Sequence, residues 1–196
     1  KPESFQFDNL ADYLDQCEKH FLMVDPVKRK QLIQEQVGAL ALEVGGTALE
    51  DPKLLNEVNY LVEYPVGLRC DFDPKYLSLP KELLVITMRH HQKYFPIDNG
   101  TGKLLPHFIA ISNMKTEKSG EIKRGNERVL RARLEDGRFF FDEDRKQKLE
   151  DYVERLKGVV FQKNLGTSYE KVTRIGALAK MLGTHLCPQA TVKAER

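Results

Sequence analysis

The densest run of residues able to do chemistry is Arg124-Gly125-Asn126-Glu127-Arg128-Val129-Leu130-Arg131-Ala132-Arg133-Leu134-Glu135-Asp136-Gly137-Arg138-Phe139-Phe140-Phe141. Wound as a helix, it places Arg124, Arg128, Arg131 and Arg138 on one broad face, while Leu130, Leu134, Gly137 and Phe141 fall on a line facing a core; Asn126 within the run is a further candidate contact for nucleic acid. Guanidinium groups about one turn apart can meet successive phosphates through paired, charge-assisted hydrogen bonds. The same run holds Glu127, Glu135 and Asp136, which stand three or four residues from arginines and would pair with them on an ordinary solvated face. Phosphate contact and solvated ion pairing are both open from these residues alone.

A second cluster is His90-His91-Gln92-Lys93-Tyr94-Phe95, with His107 placed to approach it across a hairpin. Adjacent histidine side chains diverge and no HExxH spacing is present, so no metal site is expected. His91, Gln92, Lys93 and Tyr94 offer hydrogen bonds and a stacking ring of the kind unpaired RNA bases need. A helix end capped by histidine accounts for the same residues equally well. Catalytic signatures are missing: there is no Walker A loop, GxGxxG or GxSxG, and no serine or cysteine with a local base. The carboxylates Asp71/Asp73 and Asp142/Glu143/Asp144 sit beside turns and helix ends, where solvation explains them. No catalytic residue is assigned.

Composition narrows the class. The charge is abundant but nearly balanced, 31 Lys and Arg against 29 Asp and Glu, so nucleic-acid binding must come from a local patch rather than bulk charge. Cys17, Cys70 and Cys187 are odd in number and far apart, which suggests neither a disulfide framework nor zinc and fits a reducing cytoplasm. No apolar run is long enough to span a bilayer, and no membrane association is expected. The start lacks both an initiator methionine and a signal-peptide core, and 193–196 form a charged end without a stop signal, so an excised fragment is expected.

The elements that must position these residues read as α+β. Leu10, Tyr13, Leu14 and Cys17 recur at helical spacing, as do Leu32, Ile33, Val37, Leu40 and Val44. Asp25-Pro26 opens the second helix and Gly45-Gly46 closes it; Asp51-Pro52 opens a third that runs to about Val62. Residues 66–72 alternate like a strand, and Leu84, Val85 and Met88 suggest a helix behind Pro80, although Val85-Ile86-Thr87 also suits a strand. Asp98-Asn99-Gly100-Thr101-Gly102 between Tyr94 to Ile97 and Leu104 to Ser112 is the clearest hairpin. One long helix is expected over 126–144, a helix over 149–156, a short buried segment over 159–161, and a capping box at Thr167 and Glu170 opening a helix to about Leu182. The divisions expected are a helical segment 1–62, an α+β core 63–145 and a helical segment 146–196.

Six strings in order resemble the β subunit of the bacterial two-subunit glycyl-tRNA synthetase. They are Val62-Glu63-Tyr64-Pro65-Val66, Leu79-Pro80-Lys81-Glu82-Leu83-Leu84, His91-Gln92-Lys93-Tyr94-Phe95, Gly102-Lys103-Leu104-Leu105-Pro106-His107-Phe108, the run from Gly125 to Phe141, and Val159-Val160-Phe161-Gln162 with Leu165-Gly166-Thr167. The resemblance implies an internal piece of that subunit, with a central module similar to the B3/B4 module of the phenylalanyl-tRNA synthetase β subunit, leading toward an HD-type domain. It also implies a division of labour. An α subunit holds the class II site for glycine, ATP and Mg, while the β subunit contacts tRNA(Gly), so this piece should be inactive alone, need no cofactor of its own, and join the α subunit and the rest of the β subunit. A pure scaffold and a relic editing-type hydrolase are the alternatives.

Overall fold

The fold is taken from a computed structural model that describes residues 4–186; Cys187 and the charged end 193–196 named above lie outside the described residues. Three helices come first, each started by a side chain that accepts otherwise unsatisfied N–H groups. Asn9 caps α1 (Leu10–Lys19), Asp25 caps α2 (Pro26–Leu42) and Asp51 caps α3 (Pro52–Leu61), the last two with proline in the first turn, as the sequence predicts. Beyond α2 the chain turns at Gly45, whose φ of 68° is open to glycine at little cost.

A four-stranded antiparallel sheet carries the rest of this unit. Its strands are β1 (Thr47–Ala48), β2 (Val66–Asp71), β3 (Phe95–Asp98) and β4 (Leu104–Ser112), in the order β1-β3-β4-β2. The hairpin forms where Asn99-Gly100 foretold it, with Gly100 and Gly102 at positive φ. Strand β4 shows the period-two logic of a sheet covered on both faces. Ile109 points into a cluster with Ile33, Val37 and Ala41 of α2 and Leu54, Leu55 and Val58 of α3. Its neighbour Phe108, also fully buried, points the other way and stacks on Tyr94 at 4.6 Å. Each aliphatic side chain in such a core contributes roughly 1.5–3 kcal/mol by leaving water.

Strand β2 is the outer edge of the sheet on one side. Two of its backbone donors are taken by side chains from flanking helices: Gly67 N–H by Gln36 Oε1 at 2.5 Å and Asp71 N–H by Glu127 Oε1 at 2.9 Å. After β2 come a 3-10 turn (Pro74–Ser78) and α4 (Lys81–Ile86), which runs on as a π turn over Thr87–His91. The β-branched Val85-Ile86-Thr87 therefore stays helical, and the register change of the π turn prepares the bend at Lys93, where φ is +60°.

The arginine-rich helix, α5, covers Ser119–Asp144 and starts seven residues before the expected Asn126. The charged residues ahead of Asn126 lack apolar periodicity, yet they are helical too, and this part of α5 is tied to the body below where Lys123 and Glu127 both bond Asp71. Leu130 and Leu134 are wholly buried, and Gly137 lets Leu83 of α4 approach, with Leu83 Cδ2 3.1 Å from where a β-carbon would stand.

The chain divides into two compact units, one up to Phe140 and one from Phe141. The second contains the end of α5, α6 (Leu149–Arg155), a hairpin of β5 (Val160–Gln162) with β6 (Gly166–Thr167), and α7 (Ser168–Leu186). The capping box is formed: Thr167 N–H donates to Glu170 Oε2 at 2.6 Å, and Glu170 N–H to Thr167 Oγ1 at 3.2 Å. The segment expected to be buried is not, since Val160 and Phe161 are 70% and 46% exposed, and Lys171 Nζ lies 3.8 Å from the centroid of the Phe161 ring. A short apolar run signals burial only when a core stands opposite it, and no described residue of α6, β5, β6 or α7 is buried. No helix among the described residues is long and apolar enough to cross a membrane.

Candidate nucleic-acid interface

Helix α5 meets the end of β2 through charge. Asp71, the last residue of β2, accepts from Lys123 Nζ and lies against His107 Nδ1 of β4, each at 2.7 Å, and Lys123 Nζ is also 3.5 Å from Glu127 Oε1. Partial burial raises the Asp71 carboxyl, but the hydrogen bonds from Lys123 and His107 outweigh this and hold it below its ordinary value. Lys123 is correspondingly raised, chiefly by its bond to Asp71. Beside them Cys70 is fully buried, and burial reinforced by the charge of Glu127 pushes its thiol up to about 12, so it stays protonated and inert at neutral pH.

Further along α5, the Tyr76 hydroxyl donates to Glu135 at 2.5 Å, and Lys75 Nζ stands 3.0 Å from the same oxygen. These two contacts hold the Glu135 carboxyl below its usual range, with the charge of Arg138 adding to them. Glu127 is therefore engaged by β2, and Glu135 by the 3-10 turn together with the nearby charge of Arg138. Arg124, Arg128 and Arg131 are exposed and border an open groove of about 890 Å³, shared with Asp71, Asp73 and Glu121. Such a surface can bind phosphates through guanidinium forks, with the carboxylates restricting which geometry fits.

The second predicted cluster is divided by the fold. His91 is exposed, while Lys93 pairs with Glu57 of α3 at 2.7 Å. Tyr94 is only 6% exposed; its ring lies against Phe108 and its hydroxyl donates to Asn126 Oδ1 at 2.9 Å. Asn126 in turn donates to the Ile122 carbonyl at 3.0 Å. The stacking ring expected of Tyr94 is thus turned inward, because the π turn and the bend at Lys93 point it at the sheet, and burial pushes its hydroxyl up to about 12. Gln92, Lys93, Tyr94 and Asn126 do come together, lining a hollow of about 390 Å³ that His91 does not reach. His107, expected near His90 and His91, is instead committed to Asp71 on the neighbouring strand. The Asp71–His107–Lys123 network was not foreseen; the only sequence signal for it was the four-residue step from Lys123 to Glu127, which reads as a common surface pair.

Comparison with known proteins places the chain. The family model described as glycyl-tRNA synthetase beta subunit matches residues 1–196. The chain is 50% identical over 193 residues to the glycine–tRNA ligase beta subunit of Citrifermentans bemidjiense and 50% identical over 194 residues to that of Geobacter sulfurreducens, covering 98% and 99% of its own length. It spans 28% of the length of each of these relatives. The six strings that carried the resemblance lie within the matched region, and the chain belongs to the glycyl-tRNA synthetase beta subunit family.

Proposed function

We propose that this chain is the part of a glycyl-tRNA synthetase β subunit that helps to hold tRNA(Gly) and to build the subunit, without performing the ligation. In this reading a partner α subunit supplies the site where ATP and Mg activate glycine, the remaining β-subunit sequence completes the tRNA surface, and the assembly works in the cytoplasm. The observation that supports it best is the exposed row Arg124, Arg128 and Arg131, left facing outward because Glu127 and Glu135 are held by the body of the protein. Within the same reading, the four-stranded antiparallel sheet between helices is what a relation to the B3/B4 module of phenylalanyl-tRNA synthetase would require.

The test uses the full α and β enzyme carrying Arg128→Ala together with Arg131→Ala. Each lost phosphate contact lowers the salt slope of binding by roughly 0.7 to 0.9, so the double variant should bind tRNA(Gly) more weakly with a slope smaller by roughly 1.4 to 1.8. Glycine-dependent exchange between ATP and pyrophosphate should be unchanged. Normal tRNA affinity combined with loss of the α subunit would instead support a scaffold role, for which the exposed Val172, Ile175 and Leu182 of α7 speak.

A further inference from the structure

The aromatic pair that ends the arginine row has no role in the reading above. Phe139 and Phe140 are 58% and 63% exposed, and their rings meet edge to face with centroids 5.5 Å apart. Phe139 stands eleven residues, about three turns, after Arg128 on one unbroken helix, so the two share a face. We propose that Phe139 and Phe140 form a platform on which an unpaired nucleotide of RNA stacks, while the arginines earlier on α5 hold the phosphates that lead to it. The proposal rests on the tRNA reading above and gives it a ligand class: single-stranded or splayed nucleotides, not duplex.

The chemistry favours RNA over a protein partner. Every base presents a π face, and aromatic side chains beside a basic track bind single strands without needing a particular sequence. A helix lying along an A-form duplex cannot reach the bases through its deep, narrow major groove, so aromatic contact requires a base that has left the stack. A protein-binding aromatic anchor normally sits in an interface centre depleted of charge. Here Glu135, Asp136 and Arg138 precede the pair within about one helical turn.

The experiment measures tRNA(Gly) binding by the complete α and β enzyme across a salt series. Phe139→Ala with Phe140→Ala should weaken binding roughly fivefold to a hundredfold with the salt slope unchanged, because losing a stacked ring releases no counterions. Phe139→Tyr with Phe140→Tyr, which keeps both rings, should bind within about twofold of the native enzyme. Native affinity in the alanine pair overturns the platform, as does an equal loss in the tyrosine pair. Dissociation of α from β in the alanine pair identifies a protein contact and overturns it too. The arginine double variant keeps the outcomes distinct: a reduced slope there with no effect of the phenylalanines removes the platform and leaves the tRNA reading standing. Should the alanine pair fold poorly, photo-crosslinking of native enzyme to tRNA containing 4-thiouridine decides. Crosslinks to the peptide holding Phe139 and Phe140 support the platform, and crosslinks only elsewhere overturn it.

Discussion

At the scale of single residues, the fold spends its charges on fixing α5 to the sheet. Asp71 is the clearest case, since its carboxyl is depressed in the folded state by Lys123 and His107 against the upward push of burial. A depressed folded pKa means that the contribution is present above the unfolded value, about 3.9, and is lost as pH falls through the folded value. Asp71→Asn should therefore lower the unfolding free energy measured in urea at pH 7, by an amount within ~1 kcal/mol because the pair is open to solvent. The difference from the native chain should shrink once pH drops below about 4. A difference that stays constant from pH 7 to pH 3 would show that the ionised carboxylate is not what matters there. The residue scale is also where sequence reading failed most. The type of Tyr94 suggested a surface for bases, yet a single bend at Lys93 decides which way its ring points, and nothing in the local text encodes that direction.

At the scale of elements, α5 depends on a narrow stripe. Leu130 and Leu134 are fully buried while Val129, one position from Leu130, is 45% exposed. Leu134→Ala should cost about 2–5 kcal/mol, whereas Val129→Ala should change stability by no more than about 0.5 kcal/mol. Thermal or urea unfolding of the two variants side by side checks this, and equal costs would mean that the helix is not seated on that line. This stripe was legible because leucines at a spacing of four leave few alternatives for a helix. The helix starts at Asp25 and Asp51 and the Asn-Gly hairpin were legible for a similar reason, each being set by one or two residues acting locally. The two-residue β1 and the first turns of α5 were not, because pairing with Ile97 and Asp98 in one case and contacts with β2 in the other come from distant parts of the chain.

At the scale of the whole molecule, the two units differ in what holds them. The unit up to Phe140 contains every buried side chain among the described residues, whereas α6, β5, β6 and α7 contain none. Hydrogen exchange followed by mass spectrometry should accordingly show slow amides in β4 and α2 and fast ones in 149–186, by roughly a hundredfold or more. Comparable protection in both would contradict the burial pattern. The class, α+β, was readable from the alternation of helical and strand periods along the chain. The uneven distribution of burial was not, since Val159-Val160-Phe161 and the apolar row of α7 look in sequence like any other core segment.

The two side chains that occupy the outer donors of β2 have a further consequence. An uncovered strand edge is a template on which another extended chain can grow, which is how sheets merge into aggregates. Gln36 and Glu127 sit at Gly67 and Asp71, near the two ends of that edge, and Gln36 also donates to the Pro65 carbonyl. An incoming strand would have to displace both before it could find a register. The residues that anchor α2 and α5 to the sheet thus also act as gatekeepers, keeping a sheet with a six-residue open flank from recruiting its neighbours in a crowded cell.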